Sequence, residues 1–214
     1  EMCIRDRHII VVEYVSSSKD IDSFTNFKTV FQSDRLENYV LCKFNDPFYI
    51  VFSSGTTGKP KCITHSIGGV LIQHAKEHLL HINLGEKQKM FYFTTCGWMM
   101  WNWLVGSLFC KSSIVLYEGS PFYPNPEHLW KIAEKSKVSI FGTSAKYIDA
   151  LSKSNIVPKK RFTLSNLRTI CSTGSPLSPD SYDYILSNIK SDVQIASISG
   201  GTDLLSCFVL SNPL

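Results

Sequence analysis

The chain has 214 residues, of which 43% are hydrophobic and 19% charged, and its formal net charge is +4. This is the composition of a globular protein that is long enough to bury a sizeable core. No basic run is interleaved with aromatic residues, which disfavours a nucleic-acid partner, and no apolar run is long enough to span a membrane. The mild positive charge would suit a polyanionic small ligand, although many slightly basic proteins bind none.

The cysteines and the ends of the sequence give weaker indications. The seven cysteines are scattered and form no CxxC pair, which disfavours both a disulfide framework and a zinc site. With no signal-peptide pattern either, the sequence predicts a cytosolic protein. Residues 1–7 (EMCIRDR) show no pattern that leads into the next element, and we interpret them as a non-native leader.

The first half of the chain alternates between strand and helix patterns. Ser66 is a candidate N-cap, because helical spacing of apolar residues begins directly after it. The patterns predict strands over 8–15, 48–52, 90–94 and 113–117, and helices over 21–40, 67–80 and 99–110.

The second half continues this alternation and indicates the fold class. It predicts helices over 127–136, 145–153 and 179–189, the last with Ser178 as its cap, and strands over 138–141, 167–172, 193–199 and 207–210. Alternating strands and helices predict an α/β fold with a largely parallel or mixed sheet. Ligands of such sheets collect at the carboxyl ends of the strands. We therefore expect the polar turns after Phe52, Ser172 and Ser199 to lie at such ends.

A candidate phosphate-binding loop follows the predicted strand 48–52. Its glycines allow unusual backbone shapes, its hydroxyl and N–H groups can surround phosphate oxygens, and its lysines add positive charge. It is not a Walker A loop, which needs four residues between its glycines and has no proline after the lysine. The alternative is a solvated Ser/Thr-rich turn. The candidate phosphate-binding residues are Ser53, Ser54, Gly55, Thr56, Thr57, Gly58, Lys59 and Lys61.

This nine-residue string, SSGTTGKPK, resembles the signature loop of the adenylate-forming superfamily, which includes acyl-CoA synthetases, luciferases and peptide adenylation domains. Within that superfamily, four further segments resemble the acetoacetyl-CoA synthetase family: 65–69, 94–103, 114–121 and 198–207. The resemblance implies that 8–214 is a partial AMP-binding domain, truncated at both ends and without the C-terminal small domain. It also implies the fold of the large N-terminal domain, with mixed and parallel sheets flanked by helices.

The resemblance also implies roles for residues. The loop would hold the β- and γ-phosphates of ATP, with Lys59 or Lys61 neutralising them. Thr202 would contact the α-phosphate and Asp203 would help hold Mg²⁺, although most relatives have Glu at that position; the alternative is a Gly-Gly turn with an incidental Asp. Adenine would pack on the turn Gly174, Ser175 and Pro176, for which an ordinary strand-to-helix turn is the alternative. The acyl pocket would involve Trp98, Gly200 and Gly201.

Two of these assignments stay open on the sequence. Trp98 could equally belong to the apolar core. Gly200 stands where acetyl-using relatives carry a bulky aromatic residue, so the glycine would leave room for a longer acid. On that hypothesis Gly200→Trp would shift the preference toward shorter acids.

The implied activity is that of an acid–thiol ligase that uses ATP, Mg²⁺ and CoA. Acetoacetate would become acetoacetyl-AMP and then acetoacetyl-CoA, a reaction of ketone-body use and lipid metabolism. The alternatives are an acetyl- or propionyl-CoA synthetase-like ligase, or a non-catalytic nucleotide-binding fragment. We expect the chain alone to adenylate poorly, because the family's later elements match nothing in it.

The histidines after the phosphate loop offer a further candidate. His74, His78 and His81 have a spacing that could bind zinc, but no further ligand completes a motif, so we expect a partly exposed helix face. His65 could either help order the phosphate loop or make a structural polar contact.

Overall fold

The computed structural model describes residues 10–12, 25–31, 38–53 and 58–214, and the chain divides into two compact units, Glu1–Leu41 and Cys42–Leu214. In the first unit, strand β1 (Ile10–Val11) pairs in parallel with β2 (Thr25–Asn26), and helix α1 (Phe27–Phe31) follows. The strand predicted over 8–15 is thus confirmed at β1, and the rest of that range lies outside the described residues.

The helix predicted over 21–40 is wrong in extent. The structure has only the short α1 in the described part of this range, and residues 38–40 are not helical. The Asn26 side chain accepts a hydrogen bond from the Lys28 backbone N–H at 2.9 Å. Such a bond caps the start of a helix, so the residues before it remain extended.

The second unit begins with an antiparallel hairpin. Strand β3 (Pro47–Ser53) confirms the strand predicted over 48–52, and it pairs with β4 (Lys61–Ser66), which was not predicted. β3 belongs to this two-stranded pair and not to the main sheet. The prediction that the turn after Phe52 lies at the carboxyl edge of the main sheet is therefore wrong. The connection to β4 is too short for a parallel crossover, and a short loop returns the chain antiparallel.

The main sheet of this unit is parallel and confirms the α/β prediction. Its order is β6-β5-β7-β8-β9, where the strands are β5 (Lys89–Tyr92), β6 (Ser113–Val115), β7 (Ile140–Ser144), β8 (Thr169–Thr173) and β9 (Gln194–Ser197). A separate antiparallel pair follows, formed by β10 (Ser199–Gly201) and β11 (Ser206–Val209).

The helices lie close to their predicted ranges. They are α2 (Ile67–Lys76), α3 (Met99–Gly106), α4 (His128–Lys135), α5 (Ala145–Lys153) and α6 (Pro179–Tyr184). α2 and α6 continue as the π-helical segments Glu77–His81 and Ile185–Ile189, while 3₁₀ turns occupy Ser107–Cys110 and Pro158–Lys160.

Both predicted helix caps are confirmed by hydrogen bonds. The Ser66 hydroxyl accepts from the Gly69 N–H at 3.3 Å, and the Ser178 hydroxyl accepts from the Ser181 N–H at 3.2 Å. These bonds satisfy N–H groups that the first turn of a helix leaves without a partner.

Alternating side chains of the sheet build two cores. Phe91 points to one face, where it packs in a cluster with residues of α4 and α5 such as Trp130 and Ile148. Met90 and Tyr92 point to the other face, where the cluster includes Trp103 of α3. This period-two pattern is that of a sheet covered by helices on both faces.

Candidate active site

A cleft of about 710 Å³ opens where β8 and β9 end. Three separate segments contribute most of its lining, and β11 with the residues after it adds Ser206 and Val209–Ser211. The segments are Trp98–Met100, Thr173–Pro176 and Ser197–Thr202. The carboxyl ends of parallel strands are the usual ligand-binding edge of such a sheet. The turns after Ser172 and Ser199, as expected from the sequence, therefore share one cleft.

Trp98 forms one wall of the cleft. It immediately precedes α3, and its indole ring packs edge-on against Tyr92, with the ring centroids 6.1 Å apart. Trp103, one turn further along α3, is buried in the core. The sequence left open whether this aromatic segment lines a pocket or fills the core. The structure shows both, because Trp98 lines the cleft and Trp103 belongs to the core.

The turn Gly174–Pro176 forms a second wall, next to Trp98. Gly174 has a backbone φ of +90°, which residues with a side chain rarely adopt, and a Cβ built there would lie 3.8 Å from Cζ2 of Trp98. The Thr173 hydroxyl donates to the carbonyl of Ile198 at 2.8 Å. This bond joins the end of β8 to the segment that enters β10.

The third wall is the hairpin of β10 and β11, in which Gly200 packs tightly against the backbone of β11. A Cβ on Gly200 would lie 2.1 Å from the Ser206 carbonyl oxygen and 2.7 Å from the Cys207 Cα. Because these are backbone atoms, the hairpin itself requires glycine. Gly200→Trp would therefore disturb the hairpin as well as the space beside it, so this variant alone does not isolate an effect on acid length, and the role of Gly200 in acid length stays a prediction.

Thr202 and Asp203 follow β10 directly. Thr202 lines the cleft, and Asp203 is exposed beside it. The Nε2 atom of His65 in β4 lies 3.0 Å from the Thr202 carbonyl oxygen. Since a carbonyl only accepts, Nε2 carries the proton and donates it. This contact holds the hairpin that carries the candidate phosphate loop against the segment that carries Thr202.

The described residues of the candidate phosphate loop lie outside the cleft lining. Ser53 pairs with Lys61 at the end of the β3–β4 ladder, and Gly58 and Lys59 are exposed before β4 begins. The predicted residues Ser54, Gly55, Thr56 and Thr57 lie outside the described part of the chain. The structure thus brings Trp98, Gly174–Pro176 and Gly200–Thr202 together in the cleft. The described part of the phosphate loop lies outside the cleft lining and comprises Ser53, Gly58, Lys59 and Lys61. It is joined to the cleft through β4, whose His65 contacts Thr202.

One buried acidic residue beside the site was not predicted. Glu77 is 1% exposed, and its carboxylate accepts hydrogen bonds from Trp103 Nε1 at 2.7 Å, from the Cys207 N–H at 3.1 Å and from the Ser206 hydroxyl. Burial raises the pKa of Glu77, but these hydrogen bonds outweigh it, and the pKa falls below its usual value. The only feature of the sequence that could have indicated a buried Glu77 was its position as a carboxylate within an otherwise amphipathic helix.

His74 in α2 and His78 in the π-helical segment that follows it are buried, so the predicted partly exposed helix face is wrong for these two histidines. His74 Nε2 lies 3.1 Å from the Leu205 carbonyl oxygen, and His78 Nε2 lies 2.9 Å from that of Trp103. Burial lowers the pKa of both rings, that of His78 to about 3. Among the described residues, no three His, Cys, Asp or Glu side chains cluster so as to hold a metal ion.

Residues 4–211 match the family described as AMP-binding enzyme. The chain therefore belongs to the AMP-binding enzyme family, and the predicted membership of this superfamily is confirmed.

No helix in the described part of the chain is long and apolar enough to cross a membrane.

Within this family, the chain is similar to acetoacetyl-CoA synthetases. It is 56% identical to the acetoacetyl-coenzyme A synthetase of Rhizobium meliloti (strain 1021), over 80% of this chain and 26% of that protein. It is 45% identical to the acetoacetyl-CoA synthetase of Gallus gallus, over 96% of this chain and 32% of that protein.

A solved structure of acetoacetyl-CoA synthetase from Streptomyces lividans superimposes with a TM-score of 0.90 at 38% identity, over 97% of this chain and 32% of that one. The predicted fold, that of the large N-terminal domain, is thereby confirmed. The chain spans about a third of the length of the curated relatives it matches.

Proposed function

We propose that the chain supplies the ATP- and acid-binding cleft of an acetoacetate–CoA ligase. The carrying observation is that three segments distant in sequence, Trp98–Met100, Gly174–Pro176 and Gly200–Thr202, line one cleft at the carboxyl ends of β8 and β9. The relatives named acetoacetyl-CoA synthetase favour acetoacetate as the acid. The substrates are then acetoacetate, ATP and CoA.

In this proposal each wall of the cleft has one ligand. Adenine packs on the turn Gly174–Pro176, where glycine at positive φ leaves the backbone uncovered by a side chain. Thr202 contacts the α-phosphate, and Trp98 and Met99 face the acid. A carboxylate oxygen of the acid attacks the α-phosphorus, and the bond to pyrophosphate breaks. The CoA thiolate then attacks the acyl carbon and AMP leaves.

The described residues provide positioning and charge rather than a nucleophile. Reactions of this type depend on holding the reactants in line and on neutralising developing charge. Lys59 and Lys61 are exposed at the end of the β3–β4 hairpin and would neutralise the β- and γ-phosphates. A Cβ built on Gly58 meets no atom of the described residues within 4 Å, so packing against that part of the chain gives no reason for glycine there. Close approach of a phosphate to the backbone supplies such a reason.

Asp203 fits a magnesium ion bound together with ATP. Mg²⁺ usually keeps several waters and binds one or two carboxylates with substrate phosphates, rather than an all-protein cage. The exposed carboxylate of Asp203 beside Thr202 matches this requirement, as does the lack of a larger acidic or histidine cluster among the described residues. When bound, the ion would neutralise phosphate charge.

The proposal places the protein in the cytosol. Cys62, Cys96, Cys110, Cys171 and Cys207 form no disulfide bond, as is usual for proteins of a reducing compartment.

The test is acid-dependent exchange of labelled pyrophosphate into ATP, measured on the longest reading frame that contains the chain. Acetoacetate should support exchange better than acetate, propionate or butyrate, and Mg²⁺ should be required. Exchange with acetate or propionate at a higher rate than with acetoacetate would support the alternative ligase instead. No exchange with any carboxylic acid, from a protein that is folded by circular dichroism, would contradict the ligase assignment.

A further inference from the structure

A buried carboxylate outside the cleft joins two of its walls. Glu77 lies in the π-helical segment after α2 and is not among the residues that line the cleft. Its two carboxylate oxygens accept hydrogen bonds from different elements, α3 on one side and β11 on the other. A buried carboxylate without partners would be costly, so these bonds constrain both elements at once.

On the side of the Trp98 wall, the consecutive residues Glu77 and His78 both hydrogen-bond to Trp103 of α3. Oε2 of Glu77 accepts from Trp103 Nε1 at 2.7 Å, while His78 Nε2 donates to the Trp103 carbonyl at 2.9 Å. Trp103 in turn packs edge-on against Tyr92, which packs edge-on against Trp98. The position of the Trp98 wall therefore depends on where Glu77 holds Trp103.

On the hairpin side, the same carboxylate holds the start of β11. Oε1 of Glu77 accepts from the Cys207 N–H at 3.1 Å, from the Cys207 thiol at 3.0 Å and from the Ser206 hydroxyl. The backbone of Ser206 and Cys207 is what Gly200 packs against. The position of the Gly200–Thr202 wall therefore also depends on Glu77.

We infer that Glu77 is a positioning residue that fixes the separation between the Trp98 wall and the Gly200–Thr202 wall, and thereby sets the length of acid that the cleft accepts. This inference rests on the proposed function. The adenine-side turn Gly174–Pro176 makes no hydrogen bond to Glu77, and it is joined to β10 through Thr173 and Ile198 instead. Glu77 therefore positions the two walls proposed to face the acid and the α-phosphate, and not the turn proposed to hold adenine.

The test compares Glu77→Gln with Glu134→Gln. Gln keeps the shape of Glu, but its NH₂ group faces donors that need an acceptor. Glu134 makes a matched control, because its carboxylate also accepts backbone N–H bonds, from Thr163 at 2.7 Å, yet it lies in α4 away from the cleft. Glu77→Asp keeps the charge and serves as the conservative variant if Glu77→Gln does not fold.

The readout is kcat/KM for acetoacetate and for acetate, measured on the longest reading frame that contains the chain, together with the Kd for ATP. In Glu77→Gln the value for acetoacetate should fall up to about 100-fold, as for a misplaced reacting group, and the acetoacetate-to-acetate ratio should change at least about tenfold. The ATP Kd should weaken as well, because Thr202 belongs to the wall that moves, but by less than the loss for acetoacetate, and Glu134→Gln should change none of these. An equal fall for both acids would overturn the inference and leave a purely structural role.

A second measurement separates this inference from the proposed function. Crystal structures of the wild type and of Glu77→Gln, or of Glu77→Asp, give the separation between Trp98 and Gly201 directly. If the wild type activates no acid, the proposed function fails, and the claim that Glu77 sets an acid length fails with it. If acid activation is present but the wall separation is the same in variant and wild type, only the role of Glu77 is overturned.

Discussion

Acidification should destabilise the unit Cys42–Leu214 through His78. The ring is fully buried, and burial together with the nearby His74 lowers its pKa to about 3, against the opposing effects of the Trp103 carbonyl and Glu77. Its Nε2 proton is donated to the Trp103 carbonyl, while Nδ1 has no hydrogen-bond partner. A second proton on Nδ1 would therefore be buried with no acceptor.

The size of the effect follows from the two pKa values. An unfolded histidine has a pKa of about 6.5, and that of His78 in the fold is about 3. Between these values the unfolded state binds one more proton, so the free energy of unfolding falls by about 1.4 kcal/mol for each pH unit below 6.5. From pH 7 to pH 5 the loss is about 2 kcal/mol from His78 alone.

His74 and Glu77 also have shifted pKa values, and neither opposes the loss of stability expected between pH 7 and pH 5. The pKa of His74 is also lowered, first by burial, so acid acts on it in the same direction. Glu77 has a lowered pKa, so its stabilisation is present above the unfolded value of 4.5 and is lost only as the pH falls below it. Glu77 therefore adds little to the change between pH 7 and pH 5.

The assay is urea unfolding of the chain at pH 7, 6 and 5, followed by tryptophan fluorescence. We expect the wild type to lose at least about 2 kcal/mol over this range and His78→Gln to lose about 2 kcal/mol less. His128→Gln, at the start of α4, controls for the removal of any imidazole. Equal losses in the wild type and in His78→Gln would refute the reasoning.

Three glycine and cap substitutions test other parts of the account. Gly200→Ala should lower the unfolding free energy in urea by about 1–3 kcal/mol, because its Cβ meets the Ser206 carbonyl at 2.1 Å; unchanged stability would contradict the close approach. Gly58→Ala, with no described atom within 4 Å of its Cβ, should leave stability unchanged but weaken ATP binding in a calorimetric titration, and unchanged binding would argue against phosphate contact there. Ser66→Ala should cost about 1 kcal/mol in urea unfolding through loss of the α2 cap, and a cost near zero would show that the cap bond is not stabilising.

The parts of the fold that were predicted correctly depend on local signals. The bounds of α5, Ala145–Lys153, were predicted because helical spacing is contained within one segment. The caps Ser66 and Ser178 were predicted because a cap bonds its own first turn. The placement of β3 was not predicted. β3 pairs with β4 and not with the main sheet, and strand propensity does not determine which strand is the partner.

The candidate site shows the same division. Of the residues that line the cleft, Trp98, Gly174–Pro176 and Gly200–Thr202 were singled out from the sequence because each belongs to a short motif within its own segment. Glu77 was missed because its partners Trp103 and Cys207 lie 26 and 130 residues away in the chain. The burial of His74 and His78 was missed because their acceptors, the carbonyls of Leu205 and Trp103, also come from distant segments.

The most direct test of the central claim is a calorimetric titration of the chain with ATP, with and without Mg²⁺. We predict that Mg²⁺ tightens binding in the wild type and in Asp149→Asn, a surface control in α5, but not in Asp203→Asn. ATP binding that is equally strong in all three proteins, with or without Mg²⁺, would contradict the proposed nucleotide cleft.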